Sequence, residues 1–266
     1  GRPVSPHLAQ QYGAAPNHDQ QRMPETASNP GPLAGPWTLR EGVGVAVLGL
    51  LFNVLIAALV STGTMPEQIE GAGRPLFVAL LGVIPYALTL LVVLLLISRR
   101  GYSLAQGLGV RRVGVGVLLG VATLVAVVGR GVTGYWTAMV AGAGFEPPES
   151  LDVTAWFPSD VLGIALLLLL TVIIAPVVEE VVYRGMLYPA LRRRLPRFAA
   201  IAASGVVFGA VHLNLVWMLV PMTMLGMALA FAFDETRSLY VPVAAHALFN
   251  LSGVLTVLVL RATGLA

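Results

Sequence analysis

The sequence contains no cysteine and no lysine. Without cysteine, disulfides, thiolate-ligated zinc or iron–sulfur sites and a catalytic thiol are excluded. Without lysine, all sixteen basic residues are arginines, a usage typical of a GC-rich bacterial genome. The net charge is only +3 and the arginines fall at the ends of apolar segments, where membrane topology requires them. Nucleic acid is therefore not an expected partner.

Charged residues of both signs are scarce. Only 11% of the 266 residues are charged, 57% are hydrophobic, and the mean hydropathy is +0.83. Soluble domains carry about 25% charged residues, so this much apolar surface needs lipid to face. The apolar runs lack the period-2 alternation of barrel strands. The predicted fold class is therefore an all-α, polytopic transmembrane helical bundle.

Seven membrane crossings are predicted from the apolar segments. They lie at 42–62, 76–98, 113–141, 161–182, 198–212, 213–233 and 240–260. The fifth is short for a crossing. An eighth crossing would form if the third segment broke near Arg130, a residue otherwise expected to reach the membrane interface. Gly116 and Gly120 in that segment form a GxxxG pair, which is typical of close helix packing.

The chain is predicted to have three parts. Residues 1–40, rich in Pro, Gly, Gln and Asn, form a disordered N-terminal tail. Residues 41–160 form N-terminal transmembrane helices, and residues 161–266 form a catalytic core.

Loop charge predicts the orientation. Loops 98–112 and 183–198 are rich in arginine, whereas loop 142–160 has four acids and no arginine. Since cytoplasmic loops carry the excess of arginine, the N-terminus is expected in the cytoplasm of a multi-pass protein of the bacterial cell membrane.

Ionisable side chains inside a bilayer are costly and indicate functional sites. The candidates in the C-terminal segments are Glu179, Glu180, Arg184, His212 and His246, with the amide of Asn250. Glu179 and Glu180 are adjacent, so they point about 100° apart on a helix and are not expected to face one partner. Arg184 lies four residues after Glu180, the favoured order for an ion pair. That pairing would leave Glu179 free to act as a base.

The remaining candidates lie one helical turn apart in pairs. His212 follows Phe208 by four residues and His246 precedes Asn250 by four, so each pair shares a helix face. A glutamate with a histidine can activate a water, and a histidine with an asparagine can donate to an oxyanion. Glu179, His212 and His246 could equally bind one zinc ion and leave a position for water. A zinc-dependent and a metal-free hydrolase both stay open, although no local HExxH motif occurs.

Three motifs follow one another on these segments: EExxxR at 179–184, FxxxH at 208–212 and HxxxN at 246–250. In this order they resemble the CPBP family, also called the ABI family. That family contains type II CAAX prenyl endopeptidases and bacteriocin-processing or self-immunity proteins. The resemblance covers about residues 161–260, and the N-terminal helices carry no recognisable signature.

The resemblance implies an intramembrane endopeptidase that cleaves near the cytoplasmic face. It implies that Glu179 and His212 activate the hydrolytic water and that His246 and Asn250 stabilise the oxyanion. Supporting roles would fall to Glu180, Arg184 and Phe208. The family is commonly labelled a metalloprotease, and a metal-free glutamate mechanism has also been proposed for it, so zinc is an optional cofactor here.

The expected partners are membrane lipids and a membrane-associated peptide or protein substrate. A prenylated CAAX substrate is not expected in a bacterium, and assigning one would rest on analogy of fold. Two other functions stay open. A non-catalytic membrane partner or bacteriocin-immunity protein would not need Glu179 for its function. A transporter or channel would need a polar route through the bilayer, and the segments contain few polar residues beyond the cluster.

Overall fold

The computed structural model describes residues 35, 37–61, 73–145, 157, 160–212 and 215–264. Every regular element in these residues is a helix, which confirms the all-α transmembrane class. The helices are α1 (Leu39–Ser61), α2 (Gly73–Arg99), α3 (Leu104–Leu108), α4 (Val115–Gly142), α5 (Val161–Arg192), α6 (Arg197–Ala210), α7 (Leu215–Thr236) and α8 (Tyr240–Ala262).

The long helices are suited to a membrane. Among the described residues, five helices are long and apolar enough to cross one: α2, α4, α5, α7 and α8. Helix α1 has 23 residues, about 35 Å. Helix α6 has 14 residues, about 21 Å, which agrees with the short fifth segment predicted from the sequence. Large apolar side chains such as Leu51, Leu119 and Leu124 cover the outer faces, as contact with lipid requires.

Helix α5 extends well beyond its predicted end. A loop was predicted from residue 183, but the helix continues to Arg192, and its last third lies at the centre of the bundle. Met186, Leu187 and Tyr188 are almost completely buried there. The loop prediction was wrong because Arg184 was taken for a loop charge. Its charge is instead compensated inside the protein by the carboxylate of Glu180.

Helix α4 is unbroken through Arg130, so the alternative eighth crossing does not form. Arg130 lies near the middle of α4, and its position relative to a membrane interface stays a prediction. Its Nη2 donates to the carbonyl of Phe249 at 2.5 Å, and its Nε donates to Ser252 Oγ at 3.2 Å. The guanidinium also lies over the Phe249 ring, 4.1 Å from its centroid. These contacts with α8 give the guanidinium partners inside the bundle.

Glycines set the distance between α6 and α7. A Cβ added at Gly209 would lie 2.8 Å from the carbonyl oxygen of Leu219, and one added at Gly226 would lie 3.0 Å from the Cα of Gly205. Small residues therefore let the two backbones come close. A Cβ added at Gly116 or Gly120, the predicted packing pair, would meet no atom of another described helix within 4 Å, so the pair does not bring two of these helices into close contact.

The N-terminal helices lie against the C-terminal part of α5. Helix α1 packs on α2 and α5, and the short helix α3 contacts α5. Trp37, inside the predicted tail, is buried and donates from Nε1 to the carbonyl of Gly107 at 2.7 Å. Residues 1–34 of that tail and most of loops 63–75 and 142–160 lie outside the described residues. The tail, the three-part division and the N-terminal orientation therefore stay predictions.

The close approach of α6 and α7 predicts the effect of Gly209→Ala. The new Cβ would overlap backbone atoms of α7 that cannot rotate away, so we expect the free energy of unfolding to fall by about 1–3 kcal/mol. Unfolding of the purified protein in detergent measures it. Gly120→Ala is the matched control, since open space surrounds that position. Equal stability of the two variants would contradict the packing.

Candidate active site

The glutamate pair lies in an unusual stretch of α5. Residues Ala175–Glu180 form α-helix between two π-helical segments, Leu169–Ile174 and Val181–Leu187. Such wide turns are rare and frequently occur at functional sites. Both carboxylates point into the protein, with Glu180 fully buried and the Glu179 side chain 19% exposed.

Glu180 and Arg184 form a completely buried ion pair. Nη1 of Arg184 donates to Oε1 of Glu180 at 2.7 Å, as the i,i+4 spacing predicts. Nη2 of Arg184 donates to the carbonyl of Gly226 on α7 at 2.8 Å. The guanidinium lies over the ring of Phe208, 4.7 Å from its centroid. The pair therefore ties α5 to both α6 and α7.

His246 of α8 lies between the two glutamates. Its Nδ1 is 2.9 Å from Oε1 of Glu180, and its Nε2 is 3.9 Å from Oε2 of Glu179. The prediction that the glutamates cannot face one partner was therefore wrong. The two nitrogens of an imidazole lie on different edges of the ring, so one histidine can face two side chains that diverge. Since a carboxylate only accepts, Nδ1 donates to Glu180, and Nε2 of the neutral ring carries the lone pair.

His212 lies at the C-terminal end of α6, next to Phe208. Its Nδ1 is 2.7 Å from the carbonyl oxygen of Phe208. A carbonyl can only accept, so Nδ1 donates and the neutral ring keeps its lone pair on Nε2. The buried Phe208 ring contacts His212 and His246, with centroid distances of 4.7 Å and 5.6 Å. Phe208 thus separates and orients the two histidines.

Asn250 has a backbone partner. Its Nδ2 donates to the carbonyl of Thr171 at 2.8 Å. In this π-helical segment the amide of Ala175 bonds to the carbonyl of Leu170, so the next amide in register would belong to Pro176. Proline has no N–H, and Asn250 supplies the missing donor. Its second N–H is not used in this bond, so its predicted oxyanion role stays a prediction.

A cavity of about 200 Å³ opens beside Glu179. Glu179, Tyr183 and His212 line it together with Tyr86 and Thr89 of α2. Tyr86 donates to Oε1 of Glu179 at 3.0 Å, while Oε2 is buried without a hydrogen-bond partner. Sequence reasoning missed Tyr86, because a lone tyrosine in an apolar segment gives no signal. The structure thus gathers Glu179 and His212 at the cavity and places His246 beside Glu179.

No ready metal cluster is present in the part of the chain that the structure describes, since no three His, Cys, Asp or Glu side chains there are placed to hold a metal ion as they stand. Nδ1 of each site histidine has a protein partner, and these bonds leave Nε2 of each ring unused. The zinc-dependent and the metal-free hydrolase therefore both stay predictions.

Comparisons with known proteins point to the same part of the chain. Residues 161–252 match the model of the Rce1-like type II CAAX prenyl endopeptidases. "Putative membrane peptidase YdiL" of Bacillus subtilis (strain 168) is 28% identical over 172 residues, which cover 63% of this chain and 67% of that protein. No solved structure matches the chain.

A helical membrane bundle with this glutamate and histidine cluster and these relatives is a membrane protease. The family match and the relative support the CPBP family, so the resemblance seen in the three motifs is confirmed.

The buried ion pair predicts the effect of Arg184→Met. The substitution leaves the Glu180 carboxylate buried without its cation, so we expect the free energy of unfolding to fall by about 3–5 kcal/mol. Unfolding in detergent measures it. Arg193→Met is the matched control, because Arg193 is exposed on the surface. A loss no larger than that of the control would mean that the pair does not hold the bundle together.

Proposed function

We propose that the protein is an intramembrane endopeptidase that hydrolyses a peptide bond of a membrane-associated peptide or protein near the cytoplasmic face. One observation carries the proposal. Glu179 and His212 line the same small cavity, and His246 is adjacent to Glu179. A carboxylate and a histidine with a defined lone pair are groups that can activate a water.

Glu179 is the proposed general base. The Glu179 carboxylate takes a proton from a water in the cavity that Glu179 lines with His212, and the water oxygen forms a bond to the carbonyl carbon of the substrate. A cavity of about 200 Å³ has room for several waters, each about 30 Å³. The proton then passes to the leaving nitrogen as the carbon–nitrogen bond breaks. The products are a carboxylate and an amine.

His246 is proposed to stabilise the oxyanion. Glu180 accepts from Nδ1 of His246 at 2.9 Å and so orients the ring with Nε2 beside Glu179, and the imidazolium form of the ring would donate Nε2–H to the negative charge that develops. The second N–H of Asn250 is proposed to help in the same role. In this mechanism Glu180 has two tasks, since the same oxygen also accepts from Arg184.

The proposed steps use Glu179 and the histidines alone. The expected location is the bacterial cell membrane with a cytoplasmic N-terminus, and lipids are the expected surroundings. The basic residues at 192–194 and 197 follow the glutamate helix on the side proposed as cytoplasmic. The cleaved bond is therefore proposed to lie on that side.

The proposal predicts loss of activity in Glu179→Gln. Glutamine keeps the size of the side chain but cannot take a proton, so we expect kcat to fall by about 10²–10⁴-fold with unfolding unchanged within about 1 kcal/mol. Cleavage of membrane peptides by the purified protein in detergent measures it. Glu41→Gln is the matched control, because Glu41 pairs with Arg100 outside the cavity.

Metal content is measured on the same samples. Cleavage without bound metal supports the glutamate mechanism. If the wild type instead binds one zinc ion per chain, and both Glu179→Gln and His246→Ala lose that zinc, the protein is a metalloprotease. If the folded wild type cleaves no peptide of a membrane peptide library, the protein is instead a non-catalytic partner or immunity protein.

A further inference from the structure

Tyr86 of helix α2 supplies a polar contact to the proposed base. Its hydroxyl donates to Oε1 of Glu179 at 3.0 Å, and its ring lines the cavity between α2 and α5. The residue lies outside residues 161–252, the part of the chain that matches the family model. Nothing in the three motifs therefore assigns a role to it.

The two oxygens of a glutamate are equivalent until something distinguishes them. The last torsion of the side chain is broad, so a free carboxylate turns and either oxygen can face a water. In this structure Oε1 is held by Tyr86, and Oε2 is buried without a hydrogen bond, 3.9 Å from His246 Nε2. The contact therefore holds the carboxylate in one rotation and makes its two oxygens inequivalent.

We infer that Tyr86 is a positioning residue that fixes the rotation of the Glu179 carboxylate at the cavity. The inference rests on the proposed function, since it gives Glu179 the role of base. It also means that the N-terminal helices complete the active site instead of only enclosing it. Tyr86 acts through Glu179 and needs no contact with the substrate.

A purely structural tyrosine would behave differently. Tyr86 is partly buried beside Pro85, which lies inside α2, so its ring fills space at the cavity wall. If filling space were its only role, the hydroxyl could be removed without effect on turnover. If positioning is its role, loss of the hydroxyl donor lowers turnover, and loss of the ring has a smaller effect on turnover.

The first test is Tyr86→Phe, which removes the hydroxyl and keeps the ring. We expect kcat to fall about 10- to 100-fold, as for loss of a hydrogen bond to a charged group, with KM within about threefold. Tyr135→Phe is the matched control, because Tyr135 is exposed on α4, and its kcat should equal that of the wild type. All variants are compared in detergent with the peptide that the wild type cleaves.

A second pair keeps the test decisive if Tyr86→Phe is unstable. The glutamine of Tyr86→Gln and the leucine of Tyr86→Leu are similar in size, and both variants lose the ring. Only the glutamine side chain can donate a hydrogen bond to Glu179. We expect kcat of Tyr86→Gln to exceed that of Tyr86→Leu by about fivefold or more. Equal kcat in this pair, or wild-type kcat in Tyr86→Phe, overturns the inference while the proposed function stands. A folded wild type without cleavage activity overturns both.

Discussion

The buried ion pair of Glu180 and Arg184 is the interaction on which the site depends. Two opposite charges without solvent exposure are costly, and further contacts lower that cost. Gly226 supplies a carbonyl from α7, Phe208 a ring face from α6 and His246 an imidazole from α8. Each of these contacts stabilises the pair and links it to another helix, although Oε2 of Glu180 and Nε of Arg184 have no hydrogen-bond partner among the described residues. The charges thus bring together the elements that carry the proposed chemistry.

The shape of α5 follows from its π-helical segments and its proline. Pro176 cannot donate to the carbonyl of Thr171, and a helix with an unpaired carbonyl inside a membrane would be costly. Asn250 of α8 donates to that carbonyl, which ties α8 to α5 one helical turn from His246. The backbone irregularity of α5 and the position of the histidine are therefore linked. Arg130 adds a second tie to α8 at Phe249 and Ser252.

The cavity shows how the two halves of the chain combine. Helix α5 supplies Glu179 and α6 supplies His212, but the wall facing them includes residues of α1 and α2. Tyr86 is the residue of that wall that donates a hydrogen bond to Glu179. The family match covers residues 161–252 and so does not include α1 and α2. Part of the environment of Glu179 is therefore formed by residues that no motif identifies.

The sequence alone was sufficient for the fold class, because scarce charge and long apolar runs leave only a helical membrane bundle. Local spacing likewise predicted the pair of Glu180 and Arg184, since four residues make one helical turn. The end of α5, the middle position of Arg130 and the place of His246 between two glutamates depended on contacts far apart in the chain. In a hydropathy profile a charged residue indicates a loop. Only the contacts of the tertiary structure, such as those of Arg184 with Glu180 and with the Gly226 carbonyl, show that such a residue is buried. Tyr86 is the extreme case, because 93 residues separate it from Glu179.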